Sequence, residues 1–573
     1  MKIILKWLKP FYLRMSVGLL IKISATLVEL VLPYILSHIL KNVVVTQRIE
    51  RILLWGGMMV LCAFLACVFN IIANRMAAYV SSQFAEKMRH RLFERMLTLS
   101  SRQVDKFTVP SLESRITSDT YNVHHFVDVI QRMGVRAPIM LFGGLAITLV
   151  MDSFLAVAMF SVLPFIFITV VFISRKGIPL YVKVQEGVDR LVRVVREDAQ
   201  GIRVIKALSK VEYEHRRFED VNSDLCWRQK KVGSIMGAVN PVMTLIMNVG
   251  ITAVIALGAN RVAGNQSDVE TVIAFMQYFT MISMAMMGIT RIFNMYTKST
   301  ASARRILEVI DTPEDLKVES EEKYPPKKTD AIVCFDEVSF SYNGKRKNLD
   351  DVSFVLKEGQ SLGVIGSTGS GKTTLVKLLM RLYDTDKGSI YVEGKDVRTY
   401  EKQELYSMFA SVTQQDFLFA DTVRENILLG RSATDEEIEF AARNAQAYEF
   451  ISAFDEKFEH MLSQKGTNIS GGQKQRLLIA RALLKKPKIL VLDDSSSALD
   501  YKTDAQLRKA IKENYSLTLI TVAQRVSSIK DCDLIIVLDE GRIIGMGKHE
   551  ELLEKCNEYR EISESQMGGA IIE

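Results

Sequence analysis

The sequence predicts two domains of different class: an all-α membrane domain of six long transmembrane helices, followed by an α/β domain built around a P-loop. Three observations predict this. Long apolar stretches fill the chain before about residue 300. From Ala331 onward, apolar and charged residues alternate as in a soluble α/β domain. Within that second region, residues 366–374, GSTGSGKTT, fit G-x-x-x-x-G-K-S/T at every fixed position. They lie between an apolar run at 362–365 and a helical pattern at 375–382, the strand, loop and helix that a P-loop needs. A chain of 573 residues holds several domains' worth of sequence. The expected division is 1–310 for the membrane domain, 311–330 for a linker and 331–573 for the nucleotide-binding domain.

The first residues, MKIILKWLKPFYLRM, are basic and amphipathic and run into a long apolar stretch with no A-x-A-like cleavage site. They read as an interfacial lead-in to a retained helix rather than a signal peptide. Six spans follow, at about 16–40, 54–78, 134–152, 154–174, 239–263 and 271–294, each near the roughly 20 residues that a bilayer core requires. Spans three and four are joined only around Asp152 and Ser153. The connectors 79–133 and 175–238 are long, polar and helical in pattern. They carry 8 and 14 Lys or Arg, against 4 in the short connectors, which places the long ones on the cytoplasmic side of a cell membrane. The α/β domain lies on that side too after an even number of spans.

The net charge of +7 is explained by basic residues beside apolar spans, with no stacking motif among them. A lipid bilayer is therefore the expected partner, and nucleic acid is not. Six cysteines are scattered without zinc spacing or a dense framework, and read as packing residues in a reducing compartment. Lys22 and Glu29 lie two turns apart on one face, at a depth where a lone charge is costly. They form either a structural ion pair within the bundle or part of a substrate cavity, where Glu29 would favour cationic compounds. Gln277, with Asn70, Asn74 and Asn248, raises the same choice. Met281, Met284, Met286 and Met287 offer either ordinary packing or a soft surface for varied ligands.

The polar connectors contain VPSLESRITSD at 109–119, after a break at Pro110, and GIRVIKALSKVEYEHRRF at 201–218. Alone, either passes as a solvated helix. The charged segment 317–328, with Pro325 and Pro326, is the natural linker.

In the P-loop, Gly366, Gly369 and Gly371 let the amides around Ser367, Thr368 and Ser370 curl round an anion. Lys372 brings its charge to the outer phosphates, and Thr373, followed by Thr374, offers a hydroxyl to Mg2+. FDEVSFSY at 335–342 is an alternating strand ending in Tyr342, whose ring either stacks on adenine or sits buried in the sheet. The strand 488–492 ends in Asp493 and Asp494, which delivers a carboxylate to the Mg2+ shell, as a Walker B strand does. Between these lies NISGGQKQR at 468–476.

That stretch resembles the signature motif of the ATP-binding cassette (ABC) family. The resemblance extends to Gln414 in VTQQD as the Q-loop glutamine, SALD at 497–500 as the D-loop, and Tyr342 at the adenine position. Six spans and the two polar connectors resemble an exporter's membrane domain with its coupling regions, so the likeness covers essentially the whole chain. It implies a P-loop ATP-binding cassette with ATP and Mg2+ as cofactors, Gln414 touching both. It also implies a half-transporter that pairs, because the family's ATP sites lie between two cassettes. Ser470, Gly471, Gly472 and Gln473 would then act on ATP held by the partner. Physical chemistry supports this, since the helix that follows offers free amides and a positive dipole end to a γ-phosphate.

Two departures from the family fall in the hydrolytic machinery. Asp494 stands where the catalytic glutamate is expected, and Gln524, in TVAQR, where the switch histidine is expected. Aspartate is one methylene shorter, so its carboxylate falls roughly 1.5 Å short of a water it should orient, a misplacement that can cost about a hundredfold. Glutamine can hydrogen-bond but cannot become cationic. The signature changes only from the usual leucine to Ile469. The resemblance thus implies the degenerate-site subunit of a heterodimeric, multidrug-exporter-like ATPase whose partner carries Glu and His at these two positions. Its expected activity is efflux of small amphipathic compounds across the cytoplasmic membrane. The alternatives are a lipid or peptide exporter and, from another class, an ATP-gated channel or regulator.

Overall fold

The computed structural model describes residues 7–413, 417–495 and 497–567. The chain divides into two compact units, Met1–Thr98 with Thr108–Thr312, and Leu99–Phe107 with Pro313–Glu573.

The first unit is helical throughout its ordered elements: α1 (Tyr12–His38), α2 (Ile49–Leu97), α4 (Val109–Ser114), α5 (Thr120–Met133), α6 (Arg136–Met151), α7 (Ser153–Ala207), α8 (Val211–Gly237), α9 (Val239–Ala263) and α10 (Val269–Ile310). The short α3 (Ser101–Phe107) lies in sequence between α2 and α4 but belongs to the second unit. Apolar side chains with no polar atoms to satisfy fill the helical core, where Leu155, Met159, Ile166, Phe275, Phe279 and Ile282 are buried. Tyr278 is buried as well, and its hydroxyl donates to the Leu30 carbonyl at 2.7 Å, one turn before Pro33. The tight junction expected at Asp152 is made by that side chain, which accepts from the amides of Phe154 (3.0 Å) and Leu155 (3.2 Å) and so starts α7 as α6 ends.

Five helical segments among the described residues are long and apolar enough to cross a membrane: Lys9–Thr46, Ile49–Leu97, Val109–Met151, Val211–Ala263 and Val269–Ile310. Five of the six expected spans fall within these segments. The sixth, placed at 154–174, falls on the unbroken helix α7, of which the apolar stretch Ser153–Thr169 lies among the described residues. Asp119, 1% exposed, takes a forked pair from Arg305, and Arg115 meets Glu308 at 2.9 Å, so both fasten the segment 109–119 to the end of α10 within the first unit. Of the cysteines, Cys334 and Cys556 are buried, whereas Cys67 and Cys226 are exposed rather than packed.

The second unit is built on two sheets. One is four-stranded, in the order β2 (Leu349–Lys357), β1 (Ala331–Phe340), β4 (Lys387–Val392) and β5 (Lys395–Asp396), all antiparallel. The other has the order β10 (Arg542–Gly547), β9 (Leu534–Asp539), β3 (Ser361–Gly366), β8 (Thr518–Val522), β7 (Ile489–Asp493) and β6 (Phe409–Val412). Its strands are parallel except β10. Strand β7 is buried along its whole length, which is why it reads as a continuous apolar run. Helices α11 (Lys372–Leu379), α12 (Gly471–Leu484) and α13 (Tyr501–Asn514) bury Leu375, Leu378, Leu477, Leu483, Leu507 and Ile511. Strand β1 ends at Phe340, so Tyr342 lies just beyond the strand that was expected to contain it.

Candidate nucleotide site

The C-terminal ends of parallel β3, β7 and β8 converge, and in open α/β sheets that edge is where ligands bind. Gly366 closes β3 at φ +153°, where a Cβ would stand 1.9 Å from the Leu538 carbonyl oxygen, and Gly371 enters α11 at φ +106° with a Cβ position 2.6 Å from the Asn348 carbonyl. Neither position admits a side chain. The Lys372 ammonium folds back over the loop and donates to the carbonyls of Gly366 (2.9 Å) and Ser367 (2.7 Å). Burial pushes its pKa down, against the pull of Asp493 and Asp494. Ser367 donates to Asp539 at 3.1 Å, while the Ser370 hydroxyl is buried without a partner among the described residues.

A cavity of about 230 Å³ opens beside this loop, lined by Thr368, Gly369, Gly371, Lys372, Thr373 and Thr374 on one side and by Asp493, Asp494 and Gln524 on the other. The Thr373 hydroxyl donates to Asp493 Oδ1 at 3.3 Å. Asp493 is 1% exposed, and its Oδ2 is buried with no hydrogen-bond partner among the described residues. Burial raises the pKa of this carboxyl, the Thr373 hydrogen bond opposing. An orphaned carboxylate oxygen beside a hydroxyl is the oxygen-donor set that suits Mg2+, so the residues fit a nucleotide phosphate chain with its cation. Gln414, expected to touch both, lies outside the described residues.

Asp494 continues from β7 in a left-handed conformation, φ 54°, with its amide donating to the Val522 carbonyl at 2.9 Å. Its Oδ2 accepts from Gln524 Nε2 at 3.0 Å. Burial raises the Asp494 carboxyl, the Gln524 hydrogen bond opposing. The two positions that depart from the family pattern therefore touch each other. Gln566, near the end of the described chain, pins the Gln524 turn by donating to the Gln524 carbonyl and accepting from the Val526 amide, both at 2.8 Å. Nothing in the sequence singles out Gln566.

Tyr342 is neither buried nor free: it is 37% exposed, its ring edge-on to Phe340 and Tyr383 at 4.9 and 5.1 Å, its hydroxyl 3.4 Å from that of Thr374. Tyr383 in turn donates to Asp105 of α3 at 2.7 Å. Sequence reasoning missed both Tyr383 and Asp105, which belong to no motif.

Ser470, Gly471, Gly472 and Gln473 lie outside the cavity lining. They form the N-terminus of α12, where Ser470 Oγ accepts from the Gln473 amide (3.2 Å) and Gln473 Oε1 from the Ser470 amide (2.9 Å). This capping box engages the Gln473 side chain and leaves an added Cβ at Gly471 with no atom within 4 Å.

In the membrane unit, Lys22 and Glu29 do not meet directly. Lys22, 4% exposed, donates to Asn70 Oδ1 (2.6 Å) and Asn74 Oδ1 (3.1 Å), and Asn70 Nδ2 bridges to Glu29 Oε1 at 2.7 Å. Glu29 Oε2 takes Arg136 at 3.0 Å. Glu29 and Gln277 line a cavity of about 510 Å³; Lys22 does not.

Comparison with known proteins accords with this geometry. The family described as "ABC transporter transmembrane region" matches residues 15–286, and that described as "ABC transporter" matches residues 349–497. The chain is 33% identical over 566 residues to "Uncharacterized ABC transporter ATP-binding protein YfiB" of Bacillus subtilis (strain 168), covering 98% of each. It is 32% identical over 571 residues to MT1311, an uncharacterized ABC transporter ATP-binding protein of Mycobacterium tuberculosis, covering 99% of this chain and 98% of that protein. In fold it is similar to the structure of a bacterial Atm1-family ABC exporter with ATP bound, at a TM-score of 0.81 and 23% identity, over 96% of this chain and 98% of that one. The chain belongs to the ABC transporter family and has the exporter-type fold, one membrane domain and one ATP-binding cassette on a single chain.

Proposed function

We propose that this chain is the degenerate-site subunit of a heterodimeric exporter, moving small amphipathic compounds out across the cytoplasmic membrane with its cassette in the cytoplasm. The observation that carries the reading is the 3.0 Å contact of Gln524 Nε2 with Asp494 Oδ2 inside the P-loop cavity. Lys372 and the P-loop amides bind ATP phosphates, and Thr373 and Asp493 hold Mg2+. That ion, when bound, offsets negative charge on the phosphate oxygens. Asp494 is too short to orient a water well, and its carboxylate is held by a neutral amide where a histidine would supply a cation. Binding residues are intact and hydrolytic ones are altered.

The signature at the start of α12 is intact and lies outside its own chain's cavity, which supports its serving a second cassette. That partner is a half-transporter with Glu and His at the matching positions. ATP binding draws the cassettes together, and turnover at the partner's competent site resets them. The test is the purified chain without its partner: nucleotide binds, and steady-state ATP turnover stays far below that of the assembled pair. Turnover of the lone chain equal to that of the pair overturns the reading.

A further inference from the structure

The membrane cavity borders a charge cluster that carries one more cation than anion. Its volume, about 510 Å³, falls in the range of roughly 300–1,000 Å³ typical of pockets for drug-sized ligands. Met133, Met140, Met281 and Met284 supply thioether walls that adapt to varied apolar shapes, and Glu29, Arg136 and Gln277 are its polar members. The Glu29 carboxylate is already engaged on both oxygens, by Asn70 Nδ2 at 2.7 Å and by Arg136 at 3.0 Å. Lys22 adds a second cation to this cluster, and among the described residues its ammonium meets only the amide oxygens of Asn70 and Asn74. Arg132 and Asp128 pair with each other at 2.9 Å and add nothing to the balance. Two cations thus stand against one carboxylate. Furthermore, Arg136 Nε is buried with no hydrogen-bond partner among the described residues, although the guanidinium borders the cavity.

We infer that this cavity binds amphiphiles with an anionic head group, a carboxylate, sulfonate or phosphate seated on Arg136, with the apolar part against the methionines. Guanidinium presents parallel N–H donors that match such head groups, and an unpaired charge at membrane depth is costly until a counter-charge arrives. A cationic head would enter a site of its own sign, where repulsion is strong at low dielectric. The preference for cations expected from Glu29 alone is therefore reversed. The inference rests on the export reading for its role in the cell, but binding itself needs no nucleotide.

The test uses the purified full-length chain in lipid nanodiscs without ATP, titrated with three probes of one tail: 11-(dansylamino)undecanoic acid, its carboxamide and the corresponding trimethylammonium. Protein-free nanodiscs give the partitioning background. The acid should bind on the order of tenfold more tightly than the amide and more tightly still than the cation. Arg136→Gln should remove that preference. Met284, 61% exposed in the same lining, lies outside the Glu29 cluster, so Met284→Glu should weaken the acid by about tenfold and leave the amide nearly unchanged. Should Arg136→Gln fail to fold because Glu29 loses its cation, the Met284 variant decides alone. Equal binding of all three probes, tighter binding of the cation, or an acid preference that Met284→Glu does not alter overturns the inference. ATP-driven movement into sealed vesicles is measured separately: its absence with the acid preference intact counts against export and not against this site.

Discussion

Gly471→Asp separates a shared ATP site from one contained in a single chain. The substitution is sterically free, because a Cβ at Gly471 meets nothing within 4 Å. It also suits the fold, since a carboxylate in the first turn of α12 faces the positive end of the helix dipole, worth about 0.3–1 kcal/mol. Thermal stability of the chain should hold or rise slightly. In the proposed pair the same carboxylate is expected to face the γ-phosphate of ATP held by the partner. At about 4 Å and an effective dielectric near 20, one pair of like charges costs about 4 kcal/mol, close to a thousandfold. Asp494→Asn is the matched control. It keeps the shape and an oxygen for Gln524, and it removes a charge that burial already disfavours. Steady-state ATPase of the pair should fall by about a thousandfold with Gly471→Asp and stay within about twofold with Asp494→Asn. The opposite pattern, tolerance at Gly471 and loss at Asp494, refutes the assignment of sites to chains.

Two further outcomes are expected of the cassette. Tyr342→Ala should weaken ATP binding by about 1–3 kcal/mol while Tyr342→Trp is tolerated, because the ring is partly exposed and only edge-packed; nucleotide affinity measured beside melting temperature separates this from a folding defect. The raised carboxyls of Asp493 and Asp494 make the folded state bind protons more tightly than the unfolded one, so their contribution to stability is favourable at low pH and declines as pH rises from the ordinary value of 3.8 through the raised one. Nucleotide-free melting across mildly acidic pH should show that decline, with a shallower slope in Asp494→Asn.

What the sequence shows of this molecule depends on how local each feature is. The P-loop is legible because nine consecutive residues make it, and β7 because burial on both faces leaves an unbroken apolar run. Helix ends in the membrane unit are not, because α2, α7 and α10 run 49, 55 and 42 residues straight through the apolar-to-polar transitions on which spans are drawn. Polarity changes there and helical geometry does not. The spacing of Lys22 and Glu29 correctly suggests one face, yet it cannot show that Asn70, from α2, stands between them. Likewise Tyr383 and Asp105 are brought beside Tyr342 only by the grouping of α3 with the cassette.

The contact of Asp494 with Gln524 belongs to the same class, and it has a consequence for repair of the site. The parallel register that sets Asp493 opposite Val522 brings position 494 next to position 524, thirty residues on. With Nε2 and Oδ2 already at 3.0 Å, a glutamate at 494 adds a methylene of about 1.5 Å, so its carboxylate must push Gln524 aside or turn away from it. Gln566 holds the Gln524 backbone in place, which leaves the side chain alone to yield. The two positions must therefore be changed together. In a pair whose competent site is silenced by replacing the partner's catalytic glutamate with glutamine, Asp494→Glu and Gln524→His should each leave ATPase near background. The double variant should exceed the product of the two single effects by an interaction of about 0.5–3 kcal/mol, up to a hundredfold in rate. Rates from the four enzymes give the interaction directly. If either single variant alone restores turnover and the double adds nothing beyond it, the two residues act independently, and their contact does not limit hydrolysis as proposed.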